Sequence, residues 1–392
     1  MIQSPAVLAA VLLGVVIGLL YLEKVPALRE LFHYLPSAFW CYFIPMLLST
    51  FGLLPDHSPV YDFLTTYILA SCLLLLLLDI NLPGILKLGP TALTAMVVGA
   101  LGIAIGAVGA YAIFARWLPE ETWKGVGALS ASWIGGSANM LAVKEGLHAP
   151  DAVFAPMVIV DTVITYSWMG LLVALSPWQP KWDAWVKADR RTLDDVVQRL
   201  YEMGATNKGS DGEKPSPFHA VWLIGLGILA GVACLRLGAL LPKTSSLSTA
   251  GWAFLLITVL GILLSLTPAA KLERYGASRW GYLCLYLLLA AMGSKARLQY
   301  IFQAPLLIVM AYVWVSIHAV ILAAYGYVGR VPMFFLVTSS QANIGGTAST
   351  PIVAGVYQPR LASLGLLLAI AGNIIGTYAG ILIAQACHWV HP

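Results

Sequence analysis

The sequence has 392 residues, of which 59% are hydrophobic and only 10% are charged. A soluble protein usually carries about 25% charged residues, so this composition excludes an ordinary soluble domain. The net charge of +4 is spread over loops and forms no basic patch for nucleic acid. Apolar stretches near the length that crosses a bilayer recur along the chain. We therefore predict an all-α polytopic membrane protein that contacts lipid and binds no nucleic acid.

Hydropathy and the positions of proline, glycine and charged residues predict twelve apolar segments. In the first half they cover residues 5–22, 37–54, 60–80, 90–117, 122–146 and 151–175. In the second half they cover residues 218–241, 248–267, 279–294, 304–329, 331–356 and 361–388. The polar residues 176–217 between the halves are predicted to form a cytoplasmic linker, and residues 190–203 within it have the period of a surface helix.

The two halves share motifs in the same order, which predicts an internal duplication of residues 1–175 and 218–392. Repeats that enclose paired, glycine-interrupted segments are typical of transporters. The matching motifs are Ile-Gly-Gly-Ser-Ala at 134–138 with Ile-Gly-Gly-Thr-Ala at 344–348, and Asp-x-x-x-Thr-Tyr at 161–166 with Asn-x-x-x-Thr-Tyr at 373–378.

The orientation of the repeats depends on segments five and eleven. If both cross the bilayer, the repeats are parallel; if both are re-entrant, the repeats are inverted. The re-entrant arrangement places slightly more lysine and arginine residues in the cytoplasm, so inverted repeats with about 10–12 spans are preferred. A broken helix that crosses the membrane is a third possibility.

The first motif, residues 130–140, predicts a helix interruption, because two adjacent glycines destabilise a helix by roughly 1 kcal/mol each. Unwound backbone at membrane depth lines a cavity or is buried in protein, and its carbonyl groups can coordinate a cation. The alternative is that the glycines only allow close helix packing. The residues predicted to bind an ion here are Gly135, Gly136, Ser137 and Asn139.

The second motif, residues 339–350, is rich in hydroxyl and amide side chains inside an apolar segment. Pro351 follows and removes a further backbone donor. Such a density of polar groups is costly to bury without a ligand or water, so this motif is the strongest site signal. The residues predicted to bind substrate are Gln341, Asn343, Gly345, Gly346, Thr347 and Thr350, with Asn373 from segment twelve.

Asp161 is predicted to bind the coupling ion, Na⁺ or H⁺, together with Thr165. An ionisable group at mid-membrane is costly and therefore suggests function. The alternative is a structural carboxyl group, and the repeat mate Asn373 cannot titrate. His318, alone on an apolar segment, is interpreted as a buried histidine whose ring nitrogens are satisfied.

With these residues in view, the chain resembles the YjcL-like membrane proteins, the family called domain of unknown function 819. The resemblance rests on residues 130–140 with Asp161, and on residues 339–349 with 372–380. This family is similar to the bile acid/arsenite/riboflavin transporters and to cation/proton antiporters. That similarity implies a core domain, residues 90–175 and 304–388, and a panel domain that can dimerise, residues 5–80 and 218–294. Unlike many antiporters, the chain has no second aspartate next to Asp161.

The sequence has no Walker A loop and no His-Glu-x-x-His motif, so an ATP-driven pump, an enzyme and a cofactor beyond a coupling ion are not expected. The preferred function is cation-coupled secondary transport, by alternating access, of a small anionic or zwitterionic solute across the bacterial inner membrane, with symport and antiport both open. Two alternatives remain open. One is a Na⁺/H⁺ antiporter without an organic substrate, and the other is a membrane sensor or scaffold that transports nothing.

Overall fold

The fold was analysed in a computed structural model that describes every residue except 1, 3, 79, 81, 189–215, 243–247, 300–303, 359–360 and 391–392. All regular structure in the described ranges is helical, which confirms the predicted all-α class. The α-helices are α1 Pro5–Leu22, α2 Arg29–Tyr34, α3 Ser37–Thr50, α4 Pro59–Phe63, α5 Leu69–Leu78, α6 Leu82–Leu86, α7 Pro90–Phe114, α8 Thr122–Gly135, α9 Ser137–Gly146, α10 Asp151–Ala174, α11 Gln179–Trp185, α12 Pro217–Gly238, α13 Thr249–Ser265, α14 Ala277–Lys295, α15 Ala304–Gly329, α16 Met333–Ile344, α17 Gly346–Tyr357, α18 Ala362–Gly372 and α19 Gly376–Trp389.

Each of the twelve predicted segments is helical, and together they identify a polytopic membrane protein. Six described helices are long and apolar enough to cross a membrane, or up to nine if three bent helix pairs each form one span. This is fewer than the predicted 10–12, partly because α8–α9 and α16–α17 are divided into helices shorter than a bilayer needs. The homology of the two halves and their orientation stay predictions.

One compact unit contains residues Met1–Asp79, Leu141–Thr162 and Lys214–Leu307. Within it, α14 packs against α3 and α5, and α12 and α13 pack against each other and against α5. The side chains of Leu75, Leu78, Leu223 and Ala277 form a buried apolar cluster where these helices meet. Because lipid is as apolar as these side chains, their close packing, and not their removal from water, stabilises the association of these helices in a bilayer.

The same unit contains a buried ion cluster at the turn between α9 and α10. The Lys144 side chain is 4% exposed, and its Nζ atom lies 2.9 Å from a carboxylate oxygen of both Glu145 and Asp151. It also lies 5.7 Å from the centre of the Phe154 ring, within the range of a cation–π interaction. Two carboxylates therefore compensate a lysine that is removed from water.

The second compact unit contains residues Ile80–Met140, Val163–Glu213 and Ile308–Pro392. Every residue of α8 except Lys124 is buried, as expected for a helix that is surrounded by protein on all sides. Helix α8 packs along α19, and α16 packs against α7, α17 and α18. Both glycine motifs and the residues that surround them belong to this unit.

The first part of the predicted linker is a helix that packs within the second unit. On α11, the Trp182 indole N–H donates to the Val331 carbonyl oxygen at 3.2 Å. The buried Asp183 carboxylate accepts a hydrogen bond from the Met333 backbone N–H at 2.9 Å, at the first residue of α16. The negative charge of Asp183 at the N-terminus of α16 also interacts favourably with the dipole of α16. The surface helix predicted at 190–203 lies outside the described residues.

Candidate functional site

The first predicted interruption is present between α8 and α9. Helix α8 ends at Gly135 and α9 begins at Ser137, and Gly136 between them has φ +85°. This backbone conformation is open to glycine and strained for residues with a side chain. The helical hydrogen bonds are interrupted at this point because the chain turns out of the α conformation there.

The last segment of the chain is also interrupted, and it packs on the first interruption. Helices α18 and α19 meet at an angle of 53° across residues 373–375. A Cβ atom added to Gly135 would lie 2.7 Å from the Gly376 Cα atom, so the two backbones are in direct contact. The Asn373 Oδ1 atom lies 3.5 Å from the position that a Cβ atom of Gly136 would occupy. Three predicted site residues therefore lie together here.

The Asn139 side chain joins these two interruptions. Its amide N–H donates to the Gly135 carbonyl oxygen, and its amide oxygen accepts a hydrogen bond from the Thr377 hydroxyl. Asn139 is buried, and both ends of its amide are engaged by protein atoms. Asn139 was predicted as an ion ligand. In the structure its side chain instead connects α9 to the start of α19 by hydrogen bonds.

The second predicted interruption is present between α16 and α17. Helix α16 ends at Ile344, and α17 begins at Gly346, which has φ +65°. The Gln341 amide N–H donates to the Ser349 hydroxyl at 2.7 Å and so bridges the interruption. The Thr350 hydroxyl donates to the Gly346 carbonyl oxygen within α17.

The second half of α10 packs beside the second interruption. The Thr165 hydroxyl donates to the Ile344 carbonyl oxygen at 2.9 Å, at the end of α16. The Trp168 indole N–H donates to the Ser340 hydroxyl at 2.9 Å. Thr165 was predicted to bind the coupling ion together with Asp161, and the structure brings its hydroxyl to the second motif. Each interruption thus contacts the sixth segment of the opposite half.

His318 on α15 is bonded to the same serine. Its Nδ1 atom lies 2.9 Å from the Gly99 carbonyl oxygen, and its Nε2 atom lies 2.9 Å from the Ser340 hydroxyl. A carbonyl oxygen only accepts, so a neutral ring carries its hydrogen on Nδ1 and accepts the Ser340 hydrogen at Nε2. The sequence interpretation correctly expected partners for both nitrogens but did not foresee that one of them belongs to the second motif.

The second motif contains buried polar oxygens without protein partners. Among the described residues, eight buried side-chain nitrogen and oxygen atoms lack a hydrogen-bond partner, and four of them lie on α16. An unpaired buried polar group costs about 1–3 kcal/mol, so four on one helix suggest a function. These atoms, here called the α16 polar cluster, belong to Thr338, Ser339, Gln341 and Asn343.

A comparison with known families and proteins adds an identification to this geometry. The profile of the family described as "Protein of unknown function (DUF819)" matches residues 6–389. The chain belongs to this family. A DUF819 match of this extent includes both motifs and confirms the resemblance found in the sequence. The chain is also 25% identical over 357 residues to the uncharacterized membrane protein YjcL of Bacillus subtilis strain 168, covering 86% of this chain and 85% of that protein.

The remaining predicted residues of this DUF819 protein lie on helices near the interruptions. Asp161 is partly buried on α10, one helical turn before Thr165. Ser137 and Thr347 lie in the first turns of α9 and α17 and are partly buried. Within the described ranges, no three His, Cys, Asp or Glu side chains converge.

Proposed function

We propose that this DUF819 protein is a cation-coupled secondary transporter of a small solute. The observation that carries the proposal is the pair of glycine interruptions, each in contact with the sixth segment of the opposite half. Irregular backbone at membrane depth is tolerated where it is buried in protein or lines a water-filled cavity. In transporters, such paired discontinuous helices form the binding sites for substrate and coupling ion.

In this proposal, Asp161 binds the coupling ion, Na⁺ or H⁺. Gln341, Asn343 and Thr350 bind the solute, because they flank the second interruption. The assignment of residues 135–139 to the ion remains a prediction from the sequence. Movement of a core domain against a panel domain would expose the solute alternately on the two sides of the bacterial inner membrane, with a homodimer formed through the panels.

The variant Asp161→Asn is expected to bind the solute but to lose the ion dependence of transport. Asparagine keeps the size of the side chain and one oxygen, but it carries no charge and does not exchange a proton at physiological pH. A thermal-shift screen of small metabolites, with and without Na⁺, identifies the solute. Uptake of the labelled solute into proteoliposomes is then measured under imposed Na⁺ and pH gradients.

The matched control is Asp62→Asn, which makes the same change at an exposed residue of α4. It should transport like the wild type. An unchanged ion dependence in Asp161→Asn would remove Asp161 from the mechanism. Na⁺/H⁺ exchange without any solute would instead indicate an antiporter, and solute binding without flux would indicate a sensor or scaffold.

A further inference from the structure

We infer that the protein binds the headgroups of anionic phospholipids at a surface patch formed by α11 and the end of α15. The patch lies within the second compact unit, and its lipid binding does not depend on the transport proposed above. Its members are exposed aromatic and basic side chains. These residues, here called the α11 patch, are Trp178, Lys181, Trp185, Lys187, Tyr327 and Arg330.

Direct contacts hold α11 against the end of α15. The ring centres of Trp185 on α11 and Tyr327 on α15 lie 5.1 Å apart. The Trp182 indole N–H donates to the Val331 carbonyl oxygen at 3.2 Å, and Arg330 directly precedes Val331 in the chain. The basic residue that follows α15 is therefore brought beside the aromatic and basic residues of α11, although about 150 positions separate them in the sequence.

The position of the patch on two membrane-length helices indicates the headgroup layer. Helices α10 and α15 have 24 and 26 residues, and about 20 residues cross the hydrocarbon core. Both end at the patch, since α10 leads into α11 through residues 176–178 and α15 ends at Gly329. Exposed tryptophan and tyrosine side chains at such ends lie at the membrane–water interface. The Lys181 Nζ atom lies 5.1 Å from the centre of the Trp178 ring, so its stem is on apolar surface while its ammonium can reach phosphate groups.

The exposed charge of the patch is entirely positive. The charged residues within positions 175–188 and 325–335 are Lys181, Asp183, Lys187 and Arg330. Asp183 is buried, and its carboxylate accepts the hydrogen bond from the Met333 backbone N–H. The three exposed basic side chains therefore have no exposed acidic neighbour in these two segments. Each basic residue near an anionic membrane surface strengthens binding about fivefold, so the patch favours anionic over zwitterionic headgroups.

The end of α7 shows that this charge is a feature of the patch and not of every helix end. Trp117 is exposed there as well, and the Arg116 guanidinium lies 3.9 Å from the centre of its ring. Glu120 is exposed beside them, and Lys124 is paired with Glu121. Two basic and two acidic residues balance each other, so we expect no preference for anionic lipid at the end of α7.

The test titrates the detergent-solubilised full chain with phosphatidylglycerol or with phosphatidylcholine of the same acyl chains, and measures the melting temperature. Phosphatidylglycerol is expected to raise the melting temperature of the wild type at a lower lipid concentration than phosphatidylcholine. High salt should reduce this difference, because it screens exposed charges. In the triple variant Lys181→Gln, Lys187→Gln and Arg330→Gln, the phosphatidylglycerol concentration for half of the shift should rise about 100-fold, which is about fivefold for each charge.

Two further comparisons separate charge from structure. Arg330→Gln and Arg116→Gln are a matched pair, because each removes one exposed arginine that follows a long helix. Arg330→Gln should weaken the phosphatidylglycerol response about fivefold, whereas Arg116→Gln should leave it unchanged. The triple variant Lys181→Arg, Lys187→Arg and Arg330→Lys retains every charge and should retain the preference for phosphatidylglycerol.

Three results would overturn the inference. Equal responses of the wild type to the two lipids would assign the α11 patch to a protein partner instead. An undiminished preference for phosphatidylglycerol in the triple glutamine variant would place the anionic lipid elsewhere on the protein. Sodium phosphate that reproduces the shift without any lipid would indicate a site for a soluble anion.

Discussion

The variant Gly135→Ala is expected to unfold at a clearly lower temperature than the wild type. The added Cβ atom would lie 2.7 Å from the Gly376 Cα atom and 2.9 Å from the Gly372 carbonyl oxygen. Both neighbours are backbone atoms, so the two interrupted segments must move apart to accept one methyl group. Overpacking of this kind costs about 1–3 kcal/mol and occasionally more. Thermal unfolding in detergent measures the loss.

The control for this prediction is Gly14→Ala on α1. A Cβ atom at Gly14 meets no atom within 4 Å, and alanine favours the helix by up to about 1 kcal/mol. Gly14→Ala should therefore be as stable as the wild type or slightly more stable. If Gly135→Ala unfolded at the same temperature as Gly14→Ala, the close contact between the two interruptions would be refuted.

The variant Lys144→Met is expected to be destabilised by about 1.5–3 kcal/mol, the usual contribution of hydrogen bonds between charged groups, because the two carboxylates are only partly buried. Methionine fills a similar volume but leaves the carboxylates of Glu145 and Asp151 without their shared cation. The expected result is a large fall in melting temperature at neutral pH. Part of the loss should be recovered in the double variant Lys144→Met with Asp151→Asn, because one uncompensated charge is then removed.

Lys124→Met is the matched control, since Lys124 pairs with Glu121 one turn away on the same helix. Those side chains are 15% and 45% exposed, and such pairs contribute about 0–1 kcal/mol. A smaller fall in melting temperature for Lys124→Met than for Lys144→Met would show that burial of the Lys144 ion cluster determines its contribution to stability. Equal effects at the two lysines would contradict this explanation.

The features that could be predicted from the sequence are those with local causes. Runs of apolar residues predicted the helical segments, and the adjacent glycines predicted both interruptions. Gly136 and Gly346 indeed have positive φ angles. The excess of polar side chains at 339–350 correctly indicated a group of buried polar atoms, because four oxygens on α16 lack protein partners.

The features that could not be predicted depend on contacts between distant parts of the chain. Thr165 bonds to Ile344, and His318 bonds to Gly99, over separations of 179 and 219 residues. No local pattern encodes such pairs. The bend at Asn373 was also not foreseen, and the matching segment in the first half, α10, is a continuous helix. The matching motifs also differ locally, because Gly376 occupies the position that Ile164 has in the first half.

The bond between Asn139 and Thr377 also bears on how this family can diverge. The two residues are 238 positions apart, and each satisfies a buried polar group of the other. Loss of the threonine hydroxyl alone would leave the asparagine oxygen buried and unpaired. Loss of the asparagine alone would remove the acceptor of the threonine hydroxyl and the donor to the Gly135 carbonyl oxygen. In an alignment of related sequences, these two columns should vary together, and such covariation would connect the fifth segment of the first half with the sixth segment of the second.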